Sequence, residues 1–412
     1  MTTTISTLGQ ALSQISRFNQ QQTLLSDLQT QLATGKKTQN FSGLGTDVIL
    51  SLRSRSDIRA IDTYMSNISV ADSRIENMLN AIEEFQSQAR NMASLMSGQQ
   101  QEGEIDMDVI HDMAANMIPF MEDLINSQDG ERYLFGGAVT DTPPLNMVNS
   151  GTYQLSIQEQ LLDWRGTASI PGSQTASATD VKNFYQGASD SLIGYNSYLS
   201  SNTAGNVTVR ADKKSEVDYT TFGNHEAFRD IMVALSTVKE LTNTDSSSAP
   251  GYYIEKINLE PSDYIGATGL GDLPATPPPT ETSTMFTSGL LSIPVTEEDF
   301  QDPAVGQILE QENSQRSQSF FEMFNNLTQT LYDKIDDLDN VRFSLETDRV
   351  RLQNMREQHE FDKTNLQETV SNVEDADMSE VAVKINSLQI QLQASYQVTA
   401  TVSGLNLANF LN

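Results

Sequence analysis

Three histidines, His111, His225 and His359, are the residues of this sequence best suited to proton transfer or to holding a transition metal, since imidazole changes charge near neutral pH. None has a second histidine at ligand spacing on the same helix face. The run Arg356-Glu-Gln-His-Glu-Phe-Asp is similar to half of a zinc-binding helix, but the other histidine is missing. His359 also falls on a seven-residue repeat of leucines, so its spacing predicts a ring packed into a helical seam. Asp106, Asp108 and Asp112 could offer oxygens to calcium, yet the glycine that such a loop needs for its turn is absent. At a helix start the same carboxylates complement the positive end of the helix dipole. With 55 acidic residues in the chain, paired carboxylates carry no positional information about glycoside chemistry. No nucleophile elbow, phosphate loop or dinucleotide fingerprint is present. There is no cysteine, which removes thiolate catalysis, thiolate metal sites and disulfides. The sequence therefore predicts no enzyme, no cofactor and no metal site.

The charge balance narrows the partners. Lysine and arginine number 25 against 55 aspartate and glutamate, a formal charge of -30. Nucleic-acid binding needs a basic footprint that releases counterions, and this chain would be repelled. The N-terminus has neither a basic nor an apolar signal region, so export, if it occurs, uses no cleaved signal peptide. No apolar run approaches the roughly 18 residues of a membrane span, and no membrane insertion is expected.

Stepping outward from these residues, two helical arms flank an irregular centre. Ile5, Leu8, Leu12 and Ile15 form an amphipathic stripe, and after Gln20, Gln21 and Gln22 the residues Leu25, Leu28 and Leu32 resume it in a shifted register, with Gly35 as the stop. Thr46 is a candidate N-cap for a much longer helix. Its seam runs Ile58, Ile61, Met65, Ile68, Asp72, Ile75, Leu79, Ile82, Gln86, Ala89, Ala93 and Met96 in steps of three and four, the pattern of a coiled coil. A third helix is predicted over 106–126, with Pro119 inside it. The C-terminal arm repeats Leu331, Leu338, Leu345, Leu352, His359, Leu366 and Val373 every seven residues. Glu374-Asp-Ala-Asp-Met-Ser-Glu breaks that pattern, and Asp377 with Glu380 has the form of a capping box opening a last helix that carries Val381, Ile385, Leu388, Leu392 and Val402.

Between about residues 140 and 305 the chain is rich in Ser, Thr, Asn, Gly and Pro. Tyr153-Gln-Leu-Ser-Ile and Val207-Thr-Val-Arg read as strands, the segment from Phe228 to Val238 as a helix, and Leu273-Pro-Ala-Thr-Pro-Pro-Pro as a solvated loop. The fold class expected is α+β: a long antiparallel helical coiled-coil rod made by the N- and C-terminal arms, with a β-rich inserted central domain. The expected divisions are 1–38 with 375–412, 39–140 with 306–374, and 141–305. Such amphipathic arms must cover their stripes against each other, against another subunit, or both.

Several segments resemble a known family. Leu32-Ala-Thr-Gly-Lys-Lys is similar to the end of the first helix in flagellins and hook-associated proteins. Asp129-Gly-Glu-Arg-Tyr-Leu-Phe-Gly-Gly resembles a segment typical of the members that join hook to filament, with one extra residue between Gly130 and Tyr133. Val373-Glu-Asp-Ala-Asp-Met-Ser-Glu resembles the acidic turn before the terminal flagellin helix, and Leu405-Asn-Leu-Ala-Asn-Phe-Leu a typical family ending. After Lys37 the stretch Gln39-Asn-Phe-Ser-Gly-Leu-Gly departs from the family's usual acidic loop. The resemblance covers 1–140 and 306–412 and none of the centre. It implies an extracellular axial protein of the bacterial flagellum, exported without a cleaved signal. Its terminal helices would form an inner tube and assemble as a ring of copies of itself, between the first hook-associated protein and flagellin. A flagellar export chaperone is the implied partner before assembly, and bulk flagellin the alternative identity. The assembly interface this assigns comprises Ile5, Leu8, Leu12, Ile15, Leu25, Leu28, Leu32, Ile385, Leu388, Leu392, Val402, Leu405 and Phe410.

Overall fold

The computed structural model describes residues 2–102, 105–147, 157, 178–242 and 303–411. Helix dominates: α1 (Thr2–Thr34), a 3-10 helix (Phe41–Asp47), α2 (Val48–Glu102), α3 (Met107–Ile125), α4 (Ala178–Gly187), α5 (Asp190–Ile193), α6 (Ser197–Ser200), α7 (Glu226–Leu241), α8 (Pro303–Glu374) and α9 (Met378–Leu411). The described strands form two antiparallel hairpins, β1 (Gln128–Asp129) with β2 (Arg132–Tyr133) and β3 (Thr208–Arg210) with β4 (Glu216–Asp218). Long helices from the two ends of the chain packed together, with few strands, are thus the architecture observed. The chain divides into two compact units, one of Met1–Ser66 with Asn354–Asn412 and one of Asn67–Gln353.

In the second unit the predicted seam of α2 is the floor of the core. Ile68, Ile75, Ile82, Ala89, Ala93 and Met96 are buried, as are Leu331, Leu338, Leu345 and Leu352 of α8. The two polar gaps in the α2 seam are filled by partners on α8. Gln86 donates to the Ile335 carbonyl at 3.0 Å and to Asp339 at 2.9 Å, and Arg349 donates to Asp72 at 2.9 Å and Glu76 at 3.0 Å. The order of these pairs makes the two helices antiparallel, and pairs of this kind fix register more than they add stability.

α3 packs against α7. Asp106 caps α3 by accepting from the Val109 amide at 3.1 Å, and Asn126 closes it, as the sequence predicts. The helix continues on both sides of Pro119. Phe228 of α7 sits at the centre, edge-on to Phe85 at 5.0 Å and to Phe135 at 5.5 Å between ring centres. Met78, Met92, Met121, Met232 and Met323 are also buried in this unit.

Some expectations need correction. Thr46 does not cap α2, because residues 41–47 already form a 3-10 helix that leads into it, with a left-handed Gly45 at φ 61°. The Gln20–Gln22 gap in the apolar stripe, by contrast, lies within one continuous helix, α1, as expected from a stop at Gly35. The residues of Tyr153-Gln-Leu-Ser and of the Leu273 loop lie outside those described.

Candidate assembly interface

Within the first unit α1 packs against α9. Leu28, Val381, Ile385 and Leu388 bury one another, with Leu25 and Ala376 against them, and Leu392 is buried as well. Nearer the chain start Phe18 meets Tyr396 edge-on at 5.0 Å. The same two helices expose other apolar side chains. Leu12 and Ile15 are 58% and 57% exposed, Leu32 is 41% exposed, and Val383, Ile390, Tyr396 and Val398 are exposed on α9. The stripe predicted from spacing is therefore split: Leu25, Leu28, Ile385, Leu388 and Leu392 face within the helix pair, and Leu12, Ile15 and Leu32 face outward. The side chains of Ile5, Leu8, Val402, Leu405 and Phe410 lie outside those described.

A polar clasp closes the ends of α1 and α8. Gly35 takes a left-handed φ of 71°, a conformation that favours glycine and ends a helix. The chain then pairs with the turn after α8: the Lys37 amide donates to the Glu374 carbonyl at 2.7 Å, and the Ala376 amide to the Gly35 carbonyl at 2.8 Å. The Glu374 side chain, 6% exposed, accepts from Arg55 through both oxygens, at 2.7 and 2.5 Å, and from the Ser51 hydroxyl at 2.5 Å. Lys36 bonds Asp375 and lies 3.5 Å from Glu374. Lys37 reaches the Asn372 carbonyl at 2.6 Å.

These contacts set the acidity of the clasp. The Arg55 bonds, with help from Ser51 and Lys36, hold the Glu374 carboxyl down at about 2. Lys36 and Ser371 hold Asp375 below its ordinary value. Asp377 then caps α9, accepting from the Ser379 and Glu380 amides at 2.9 and 3.1 Å. The capping box expected there is half formed, because the Glu380 side chain pairs with Lys384 at 2.7 Å instead.

The Tyr133-Leu-Phe-Gly-Gly segment forms a rigid corner in the second unit. Gly130, at φ 64°, supplies the left-handed turn residue of the β1–β2 hairpin, so the extra residue in this motif is absorbed in the turn. Leu134 and Phe135 are buried, and buried Arg74 donates to the Tyr133 carbonyl at 2.6 Å. Gly137 is left-handed, at φ 64°, and a Cβ there would lie 2.6 Å from the Gly205 carbonyl and from the Phe222 ring. Only glycine fits that approach.

The histidines take structural places. His359 is buried and stacks on Tyr64 with ring centres 5.7 Å apart. His111 Nδ1 lies 2.8 Å from the Lys239 carbonyl, and His225 caps α7 by accepting from the Ala227 amide at 3.3 Å. Among the described residues no three His, Asp or Glu gather as a metal site, and no helix is long and apolar enough to cross a membrane.

Sequence reasoning missed the Glu374 clasp, although two signals were present. Lys36-Lys37 directly follows the helix-stopping glycine, and Glu374-Asp375 directly precedes the last helix.

Comparison with protein families gives two matches. Residues 5–140 match the bacterial flagellin N-terminal helical region, and residues 328–411 match the bacterial flagellin C-terminal helical region. A search of curated proteins found no match. The two matched regions, in this order at the two ends and meeting in the α1–α9 pair, make the chain a member of the bacterial flagellin family, a structural, non-enzymatic protein of the flagellum that self-polymerises.

Proposed function

We propose that this chain joins the hook side of the flagellum to the flagellin filament, as a ring of copies held by the terminal helices. The observation that carries the reading is the Tyr133–Gly137 corner. Its sequence resembles that of the junction members, and each of its glycines answers a packing demand. The first hook-associated protein is the partner on one side and flagellin on the other, with an export chaperone holding the chain beforehand. Export to the cell exterior proceeds without a cleaved signal. In this reading segments 1–38 and 375–412 form the inner tube, 39–140 and 306–374 the layer outside it, and 141–305 a surface insertion.

The exposed residues of the helix pair support a ring. Leu12, Ile15 and Leu32 leave apolar area in water, and burying such area yields about 25 cal/mol per Å². Ile5, Leu8, Val402, Leu405 and Phe410 extend the same stripes toward the two termini.

Deleting the gene tests the proposal. Cells that keep hooks and shed flagellin into the medium support a junction role. Cells whose medium and surface both lack the major filament protein point instead to bulk flagellin, the second reading, which the family match favours as much. Copy number in sheared filaments separates the two independently, being low at a junction and high in a filament.

A further inference from the structure

We infer that an apolar patch on the 3-10 helix and the first turns of α2 seats against the outward face of α9 in a second copy; this rests on the self-assembly reading above. The patch is patterned inside out. Ser51 and Ser54 are buried, whereas Ile49 is 63% exposed and Phe41, Leu50 and Leu52 are nearly half exposed. The helix cannot turn to exchange the two sides, because the Ser51 hydroxyl and the Arg55 guanidinium both bond the buried Glu374 carboxylate. Serines inside and bare leucines outside reverse the ordinary patterning of a surface helix. A contiguous exposed patch of that kind marks contact with another molecule. Phe41 and Leu52 share one groove, which Lys36, Arg55, Arg59 and Asp375 also line, so the 3-10 helix and α2 present a joint surface.

Charge identifies the occupant. At a formal charge of -30, copies repel one another wherever their carboxylates meet, so a contact between copies belongs where charge is missing. From Thr38 to Leu52 only Asp47 is charged, and from Ile385 to Asn412 nothing is. One side of α9 is already taken, since Val381, Ile385 and Leu388 pack against Leu28 of α1 in the same chain. On the opposite side Val383, Ser387, Ile390 and Ala394 are exposed, and steps of four, three and four align them in one stripe. Val383 and Ile390 are 68% and 67% exposed and stand about 10 Å apart along the helix. A patch meeting its own copy would be isologous and would stop at a pair, whereas the family self-polymerises. Two different patches of one chain make a heterologous contact, which repeats into a ring or a helical array.

The test uses the full chain with the photo-crosslinking residue benzoylphenylalanine in place of Ile49, an exposed position. Unlabelled and heavy-nitrogen-labelled chains are mixed, irradiated and digested. The product expected in mass spectrometry carries both isotopes and joins the Ile49 segment of one copy to residues 383–394 of the other. Leu50→Asp with Leu52→Asp should leave the circular dichroism spectrum unchanged and weaken association at least about tenfold in sedimentation, because carboxylates lose water against apolar side chains. Val383→Asp with Ile390→Asp should do the same, and all four changes together should weaken association less than the two pairs added. Cross-links confined to one chain, to α1, or to the same patch of the partner overturn the contact and leave self-assembly standing, as does association that both aspartate pairs leave intact. A chain that stays monomeric at high concentration overturns both.

Discussion

Replacing Glu374 with Gln tests whether the clasp holds α1 and α9 to their neighbours. The substitution keeps the shape and removes the charge that Arg55 and Lys36 address. The carboxyl is lowered from an ordinary 4.5 to about 2, and at about 1.4 kcal/mol per unit the ceiling is about 3 kcal/mol. Arg55 and Lys36 have side chains 45% and 41% exposed, so solvent screens part of this and about 1–2 kcal/mol is expected. The assay is amide hydrogen exchange at Lys37 and Ala376, whose amides carry the backbone bonds on either side of the clasp. At pH 7 the variant should exchange these two protons about tenfold faster. The sign follows from the lowered acidity: the stabilisation is present in full above about 4.5 and fades as pH falls through that value toward about 2. The difference between parent and variant, measured by unfolding, should therefore narrow from pH 5 downward. An unchanged exchange rate at pH 7, or a stability difference independent of pH, would refute the reasoning.

Other outcomes follow from the same geometry. Gly137→Ala meets the Gly205 carbonyl and the Phe222 ring at a left-handed φ, and should cost about 2–3 kcal/mol in denaturant unfolding. Phe228→Ala removes the ring between Phe85 and Phe135 and should cost about 3–5 kcal/mol, read as a lower denaturation midpoint. Leu12→Asp with Ile15→Asp should leave the circular dichroism spectrum unchanged and block polymerisation, since both residues are exposed in the single chain. Truncation before Ala376 should abolish polymerisation while Asn67–Gln353 stays folded by limited proteolysis; normal assembly of the truncated chain would be the contrary result.

Periodicity made the long helices legible because each buried face repeats within a few residues of itself. His359 is the clearest case: its place among leucines spaced seven residues apart was enough to set it in the seam, where it stacks on Tyr64. Asp72 and Gln86 were legible as gaps but not as contacts, since Arg349 and Asp339 lie more than 250 residues away in the chain. The clasp was hidden for the same reason, its partners Ser51 and Glu374 being 323 residues apart. Spacing also cannot say who covers a stripe. Leu28 and Leu12 look alike in sequence, yet one is 5% exposed and the other 58%. That division depends on where α9 lies, and no local pattern encodes it.

The buried methionines of the second unit, Met78, Met92, Met121, Met232 and Met323, have a chemical consequence outside the cell. Thioethers are unbranched and polarizable, so such an interior adapts its shape easily and tolerates substitution. Each sulfur is also oxidisable to a polar sulfoxide. Met78, Met92 and Met232 are buried in the folded chain, so folding itself shields them from peroxide. The exposed interval is the one before folding, so a chain meeting an oxidant while still unfolded would carry polar lesions into its buried core.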